Sequence, residues 1–130
     1  MRFFIFFIFL SSVTFAQNYA EDDSYKRGQM VYDDFCVRCH LPDGTGEHGL
    51  IPPLASADFL QDVKATIHSI KYGLHGPITV NGVKYNGSMA PMGLENDEIA
   101  DVTNYILNSW GNTTDVIVNE AYVQEIKETK

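Results

Sequence analysis

Within Cys36-Val37-Arg38-Cys39-His40, two thiols three positions apart are followed at once by an imidazole. No other feature constrains the fold of this chain as much. C-x-x-C-H is an attachment site for c-type haem. On one helical turn both sulfurs can reach the vinyl groups of the porphyrin and become thioethers, and the next ring is delivered under the iron as the proximal ligand. A short chain carrying such a group has to wrap it. Cys36 and Cys39 are the only cysteines, so their use as thioethers leaves neither a disulfide nor a free thiol. The other readings of the pair are weaker. A structural zinc site needs two further ligands at fitting spacings, and no second cysteine pair exists. A thioredoxin-type pair needs a βαβ context, which the pattern lacks.

Residues 1–16 read as a cleaved secretory signal. Arg2 gives a positive start, residues 3–10 are an unbroken apolar run, and Thr14-Phe15-Ala16 puts small residues where a signal peptidase reads. The run falls short of the ~20 residues that span a bilayer. No stable membrane insertion is therefore expected after cleavage. Export to the periplasm agrees with the pentapeptide, because c-type haem is attached on the outer side of the energy-transducing membrane. The remaining residues suffice for one domain, small enough to gain from a large apolar group at its centre. The formal net charge is −8, and it becomes one unit more negative when Arg2 leaves. Such a surface argues against nucleic acid and anionic lipid, and it suits an electropositive docking face on a redox donor or acceptor.

Along the chain, residues 17–23 are polar and read as a flexible leader. From Ser24 the pattern turns helical, with Gly28, Val31, Tyr32 and Phe35 at i, i+3, i+4 and i+7, and the helix runs into Cys36. Residues 41–53 read as loop, punctuated by Pro42-Asp43-Gly44, Thr45-Gly46 and Pro52-Pro53. A second helix is expected over 58–71, with Leu60, Val63, Ile67 and Ile70 on one side and Gly73 as its stop. Asn81-Gly82 suits the positive φ angles of a type I′ hairpin turn, flanked by short strands. Asn96 is a candidate cap for a last helix carrying Ile99, Val102, Ile106 and Trp110, stopped by Gly111. Residues 113–130 form an extension, with a short helix expected over 119–126. It is read as packing on its own domain, with docking to a partner as the alternative.

An iron held by His40 needs a sixth ligand or an open position. Met89 is favoured, because Tyr85-Asn86-Gly87-Ser88-Met89-Ala90-Pro91 reads as a glycine- and proline-bearing loop that can cross the distal face. Met92 is the runner-up, against the bland reading of a methionine as core filler. His48 and His75 are read as surface residues in loops, and His68 as solvated, off the apolar stripe of its helix. The second ring nitrogen of His40 should donate to a backbone carbonyl, which fixes the ring and tunes the metal. Pro52 is the favoured source.

The chain resembles a monohaem cytochrome c of the class I type over residues 25–112. Gly28 and Tyr32 stand eight and four residues before Cys36, where the family places a glycine and an aromatic, and Val102 and Tyr105 match its C-terminal helix. Leu94-Glu95-Asn96-Asp97-Glu98-Ile99-Ala100 is similar to the opening of that helix in bacterial members. Pro52-Pro53-Leu54, Gly73-Leu74-His75-Gly76-Pro77-Ile78 and Asn108-Ser109-Trp110-Gly111-Asn112 resemble a subset of free periplasmic carriers and cytochrome domains serving copper nitrite reductases and quinoprotein dehydrogenases. Ala90 departs from the usual Met-Pro pair. The resemblance implies an all-α fold over 24–112, with three main helices around one covalent haem c and a short β-hairpin. It also implies His/Met ligation and electron transfer between Fe(III) and Fe(II), without enzymatic turnover of its own. The alternatives are a cytochrome subunit of a larger oxidoreductase and a haem protein with an open sixth site for gas or peroxide.

Overall fold

The structure is a computed structural model that describes the backbone of residues 13–129 and the side chains of residues 23–129. The expected signal segment therefore lies outside the described residues up to residue 12. The first helix, α1, covers Val13–Phe35, so the backbone over 17–23 is helical where a loose leader was expected. No proline interrupts residues 13–35, and Gly28 is their only glycine; nothing local breaks the helix once packing has fixed its C-terminal half. A single turn, α2 (Val37–His40), follows directly. Residues 41–57 are irregular apart from one bridge between Glu47 and Ile51.

The expected helix over 58–71 is two elements. A 3-10 turn, Asp58–Gln61, is followed by α3, Val63–Tyr72. Asp62 divides them: its carboxylate accepts from the Ala65 N–H at 2.9 Å, capping α3 and ending what precedes it. Gly73, at φ +83°, closes the helix. The hairpin is longer than expected. Strands β1 (Leu74–Val80) and β2 (Val83–Met89) pair antiparallel from Val80↔Val83 out to Leu74↔Met89. Asn81 and Gly82 take φ +50° and +78°, the type I′ signature. The stretch read as a loop before Met89 is thus strand, and His75, also placed in a loop, lies on β1. The last main helix, α4, covers Asn96–Leu107. Its cap is Glu95 rather than Asn96: the Glu98 carboxylate accepts from the Glu95 N–H at 2.9 Å. It ends at Asn108, before Gly111.

Helices α1 and α4 cross at Gly28, where any Cβ would collide with the Asp101 carbonyl oxygen. Around that crossing Tyr32, Tyr105 and Trp110 pack as a cluster, with the Tyr32 and Trp110 rings 4.9 Å apart. Tyr32 is fully buried, and its hydroxyl donates to the Leu41 carbonyl at 2.6 Å, tying α1 to the segment after His40. Burial also pushes the phenol of Tyr32 well above its usual range.

The C-terminal extension lies on this body. Helix α5 (Glu120–Glu125) packs against α4, and Val123 is fully buried. The Asn104 side chain accepts from the Val118 N–H at 2.9 Å and donates to the Val118 carbonyl at 2.8 Å, reading that residue as a neighbouring strand would. Lys71 Nζ donates to the carbonyls of Val123 and Ile126, and the Tyr72 hydroxyl to that of Ile126. His68, expected to be solvated, is half-buried: its ring packs on Tyr72, and its Nε2 accepts from the Thr129 N–H at 3.3 Å. The protein is mostly helical with a two-stranded antiparallel sheet. Among the described residues no helix is long and apolar enough to cross a membrane.

Candidate functional site

Helix α2 delivers the pentapeptide. The His40 N–H donates to the Cys36 carbonyl at 3.0 Å and the Cys39 N–H to the same oxygen at 3.1 Å, so both thiols and the imidazole belong to one turn. Leu41 then takes φ +65° and ψ 160°, a backbone conformation that residues other than glycine rarely adopt, and the helical turn ends there. Cys36 is half-buried and Cys39 exposed. Desolvation raises the Cys36 thiol to about 11, with Cys39 adding a smaller push.

Two adjoining clefts meet at this turn. They share His40, Pro52, Leu74, Ile78, Met89 and Met92. Cys36 opens on the first cleft and Cys39 on the second. The clefts enclose about 690 and 850 Å³ of space, part of it open to solvent. The first is walled almost wholly by apolar groups, including Leu54, Phe59, Leu60 and Ile106. Its two hydroxyl residues on α3 are turned inward: Thr66 donates to the Asp62 carbonyl at 3.0 Å and Ser69 to that of Ala65 at 2.8 Å. A flat apolar group reached by two thiols and one imidazole fits this arrangement.

His40 is buried, and its Nδ1 lies 3.1 Å from the Pro52 carbonyl. Burial lowers its pKa and that hydrogen bond opposes the shift; burial wins, which favours the neutral ring at neutral pH. With the proton on Nδ1, the Nε2 lone pair is available to a metal. The Pro52 carbonyl is fixed in turn by a tight loop in which Gly46, at φ +60°, would clash with it if it carried a Cβ.

Met89 is the last residue of β2, half-buried and facing both clefts. Its backbone is held by the pairing with Leu74 and by close approach of Gly73 to its carbonyl. Met92 lines the same clefts from the irregular segment before α4. His48 and His75 are exposed, His75 sharing a 2.8 Å hydrogen bond with Ser88 across the hairpin; none of the three spare histidines lines either cleft. Leu74 and Ile78 were not singled out from the sequence. The signal was there as alternation, since residues 74, 76, 78 and 80 share the inner face of β1. Gly76 and Pro77 disguised it. Among the described residues no group of three or more His, Cys, Asp or Glu side chains could hold a bare metal ion.

Comparison with known proteins agrees with this geometry. Residues 25–110 match the profile of the cytochrome c family. The chain is 40% identical over 95 residues to cytochrome c-552 of Thermus thermophilus, covering 68% of this chain and 72% of that one. It is 30% identical over 108 residues to the cytochrome c subunit of the quinone alcohol dehydrogenase of Gluconobacter oxydans, covering 78% of this chain but 22% of that subunit. For the gluconate 2-dehydrogenase cytochrome c subunit of Pantoea cypripedii the figures are 32% over 111 residues, 82% of this chain and 25% of that subunit. This chain thus spans a quarter or less of the dehydrogenase subunits it matches. An apolar slot with two thiols and a neutral imidazole at one end, read with these matches, identifies the chain as a member of the cytochrome c family, an electron-transfer protein with covalently bound haem c.

Proposed function

We propose that this protein is an exported, single-haem electron carrier of the class I type. Residues 1–16 direct it to the periplasm and are removed. Cys36 and Cys39 form the thioethers, His40 is the proximal ligand and Met89 the distal one. The observation that carries this reading is that His40 and Met89 line the same two adjoining apolar clefts. Met89 is preferred to Met92 because the ladder with Leu74 fixes its backbone.

Bound haem supplies an iron that accepts and returns one electron. The chain's part is to hold and shield it. The Pro52 carbonyl keeps the His40 proton on Nδ1 and the ring in one orientation. A thioether from Met89 favours the reduced state more than a second imidazole would, raising the potential. The apolar walls exclude water. Cys39 is exposed, so the thioether edge is where a partner can approach, and the acidic chain suits an electropositive face there.

Visible spectra of the oxidised and reduced protein test the ligation. The oxidised parent should show the weak far-red sulfur–iron band, lost in Met89→Ala and kept in Met92→Ala. Ready uptake of carbon monoxide by the ferrous parent at neutral pH would exclude a saturated His/Met iron. The likeness to dehydrogenase cytochrome subunits supports a second reading, a subunit of a larger oxidoreductase. The native mass of the protein isolated from its own cells separates the two.

A further inference from the structure

The 3-10 turn Asp58–Gln61 stands between two unlike spaces. On one side is the apolar haem cleft. On the other is a surface groove lined by Asp58, Gln61, Asn112, Thr113 and Thr114, enclosing about 840 Å³ open to solvent. Leu60 lines both. It is only 5% exposed, so its side chain fills the boundary rather than leaning out of it.

The turn that carries Leu60 is tied to the tip of the hairpin by reciprocal hydrogen bonds. The Asp58 N–H donates to Asn81 Oδ1 at 2.9 Å, and the Asn81 N–H donates to Asp58 Oδ1 at 2.8 Å. Asn81 Nδ2 also donates to the Ser56 carbonyl at 3.1 Å. The type I′ turn by itself asks only for a residue that tolerates φ +50° at position 81, and glycine would serve. The side-chain bonds of Asn81 are therefore additional to what the turn needs. They join the hairpin tip, whose strands carry Leu74, Ile78 and Met89, to the turn that carries Leu60, so two walls of one cleft are set by one clamp.

We infer that Leu60 is the partition that keeps the water of the polar groove out of the haem cleft, and that the Asn81–Asp58 clamp is its positioning device. The inference rests on haem occupying the cleft between His40 and Met89. Water admitted there raises the local dielectric and solvates the more highly charged oxidised centre, which lowers the reduction potential. Leu60 and Asn81 are positioning residues for electron transfer in this sense, acting through the solvent content of the cleft.

Spectroelectrochemical titration of the haem-loaded protein and its Leu60→Ala, Leu60→Met and Asn81→Gly variants, with thermal unfolding of the same samples, tests this. The potential should shift down in Leu60→Ala, less far down in Asn81→Gly, and stay unchanged in Leu60→Met. A lowered melting temperature with an unchanged potential in Leu60→Ala overturns the inference, since Leu60 is then core filler alone. If Leu60→Ala fails to take up haem, Asn81→Gly decides by the same criterion, because it keeps the turn and the Leu60 side chain but removes the side-chain bonds of the clamp. The two readings fail separately: absence of the far-red band in the parent removes Met89 as ligand, whereas unchanged potentials in the variants remove the partition.

Discussion

The α1–α4 corner and the haem cleft are built on opposite principles. At the corner the packing and hydrogen-bonding partners come from the chain itself. Gly28 lets the helix backbones touch, Tyr32, Tyr105 and Trp110 fill the space beside them, and a polar network closes the far end. In that network Asp101 accepts from Ser24 at 2.6 Å and from Arg27, while Asn104 joins Ser24 to Val118. The cleft is walled instead by apolar side chains drawn from the loop over 50–54, the 3-10 turn, α3, the hairpin, the segment before α4 and α4 itself. Those elements come from scattered parts of the chain and meet around a space. The corner can be completed by the polypeptide alone, whereas the cleft needs a cofactor to bring its walls into contact with something. This is how a small chain obtains a core larger than its own apolar residues provide.

The sharpest way to break this contrast is to remove the cofactor. Exported Cys36→Ala/Cys39→Ala protein should have the mass of the bare polypeptide. Its amide hydrogen exchange should rise far more in β1, β2 and α3 than at the α1–α4 crossing. Equal loss of protection everywhere would show the two regions to be one cooperative unit. The corner is probed next by Gly28→Ala, which forces a Cβ into the Asp101 carbonyl and should cost about 3 kcal/mol in denaturant titration of the holoprotein. Val123→Ala opens a cavity under the C-terminal extension, with an expected loss of about 2 kcal/mol and little change in the visible spectrum. The smallest effect belongs to Arg27→Ala. Its 2.6 Å ion pair with Asp101 is half-exposed on the arginine side, so the loss should stay under about 1 kcal/mol and shrink further in high salt.

The parts of this protein that could be read from sequence are those whose chemistry is local. C-x-x-C-H carries its own meaning because three atoms must meet one planar group. Asn81-Gly82 declares its turn because few residues accept two successive positive φ angles. Gly28, Tyr32, Val102 and Tyr105 stand at helical spacings that place them on facing stripes. What escaped depends on partners distant in the chain. The strands run out to Leu74 and Met89 because each completes the other's ladder, and Gly76 and Pro77 weaken the pattern that would announce it. Asp62 falls inside the stretch 58–71 expected as one helix, yet its carboxylate divides that stretch in two. Glu95 outcompetes Asn96 as cap through its bond with Glu98. Nothing near Asn104 in sequence indicates that its amide grips Val118, fourteen residues on.

Helix α3 is clasped on both sides. Thr66, Ser69 and Ile70 face the cleft, while His68, Lys71 and Tyr72, roughly half a turn around the helix, hold the end of the chain. Thr129 therefore sits behind α3, on the face turned away from the cleft. A fluorophore or an electrode tether attached there would leave the route of the electron unobstructed.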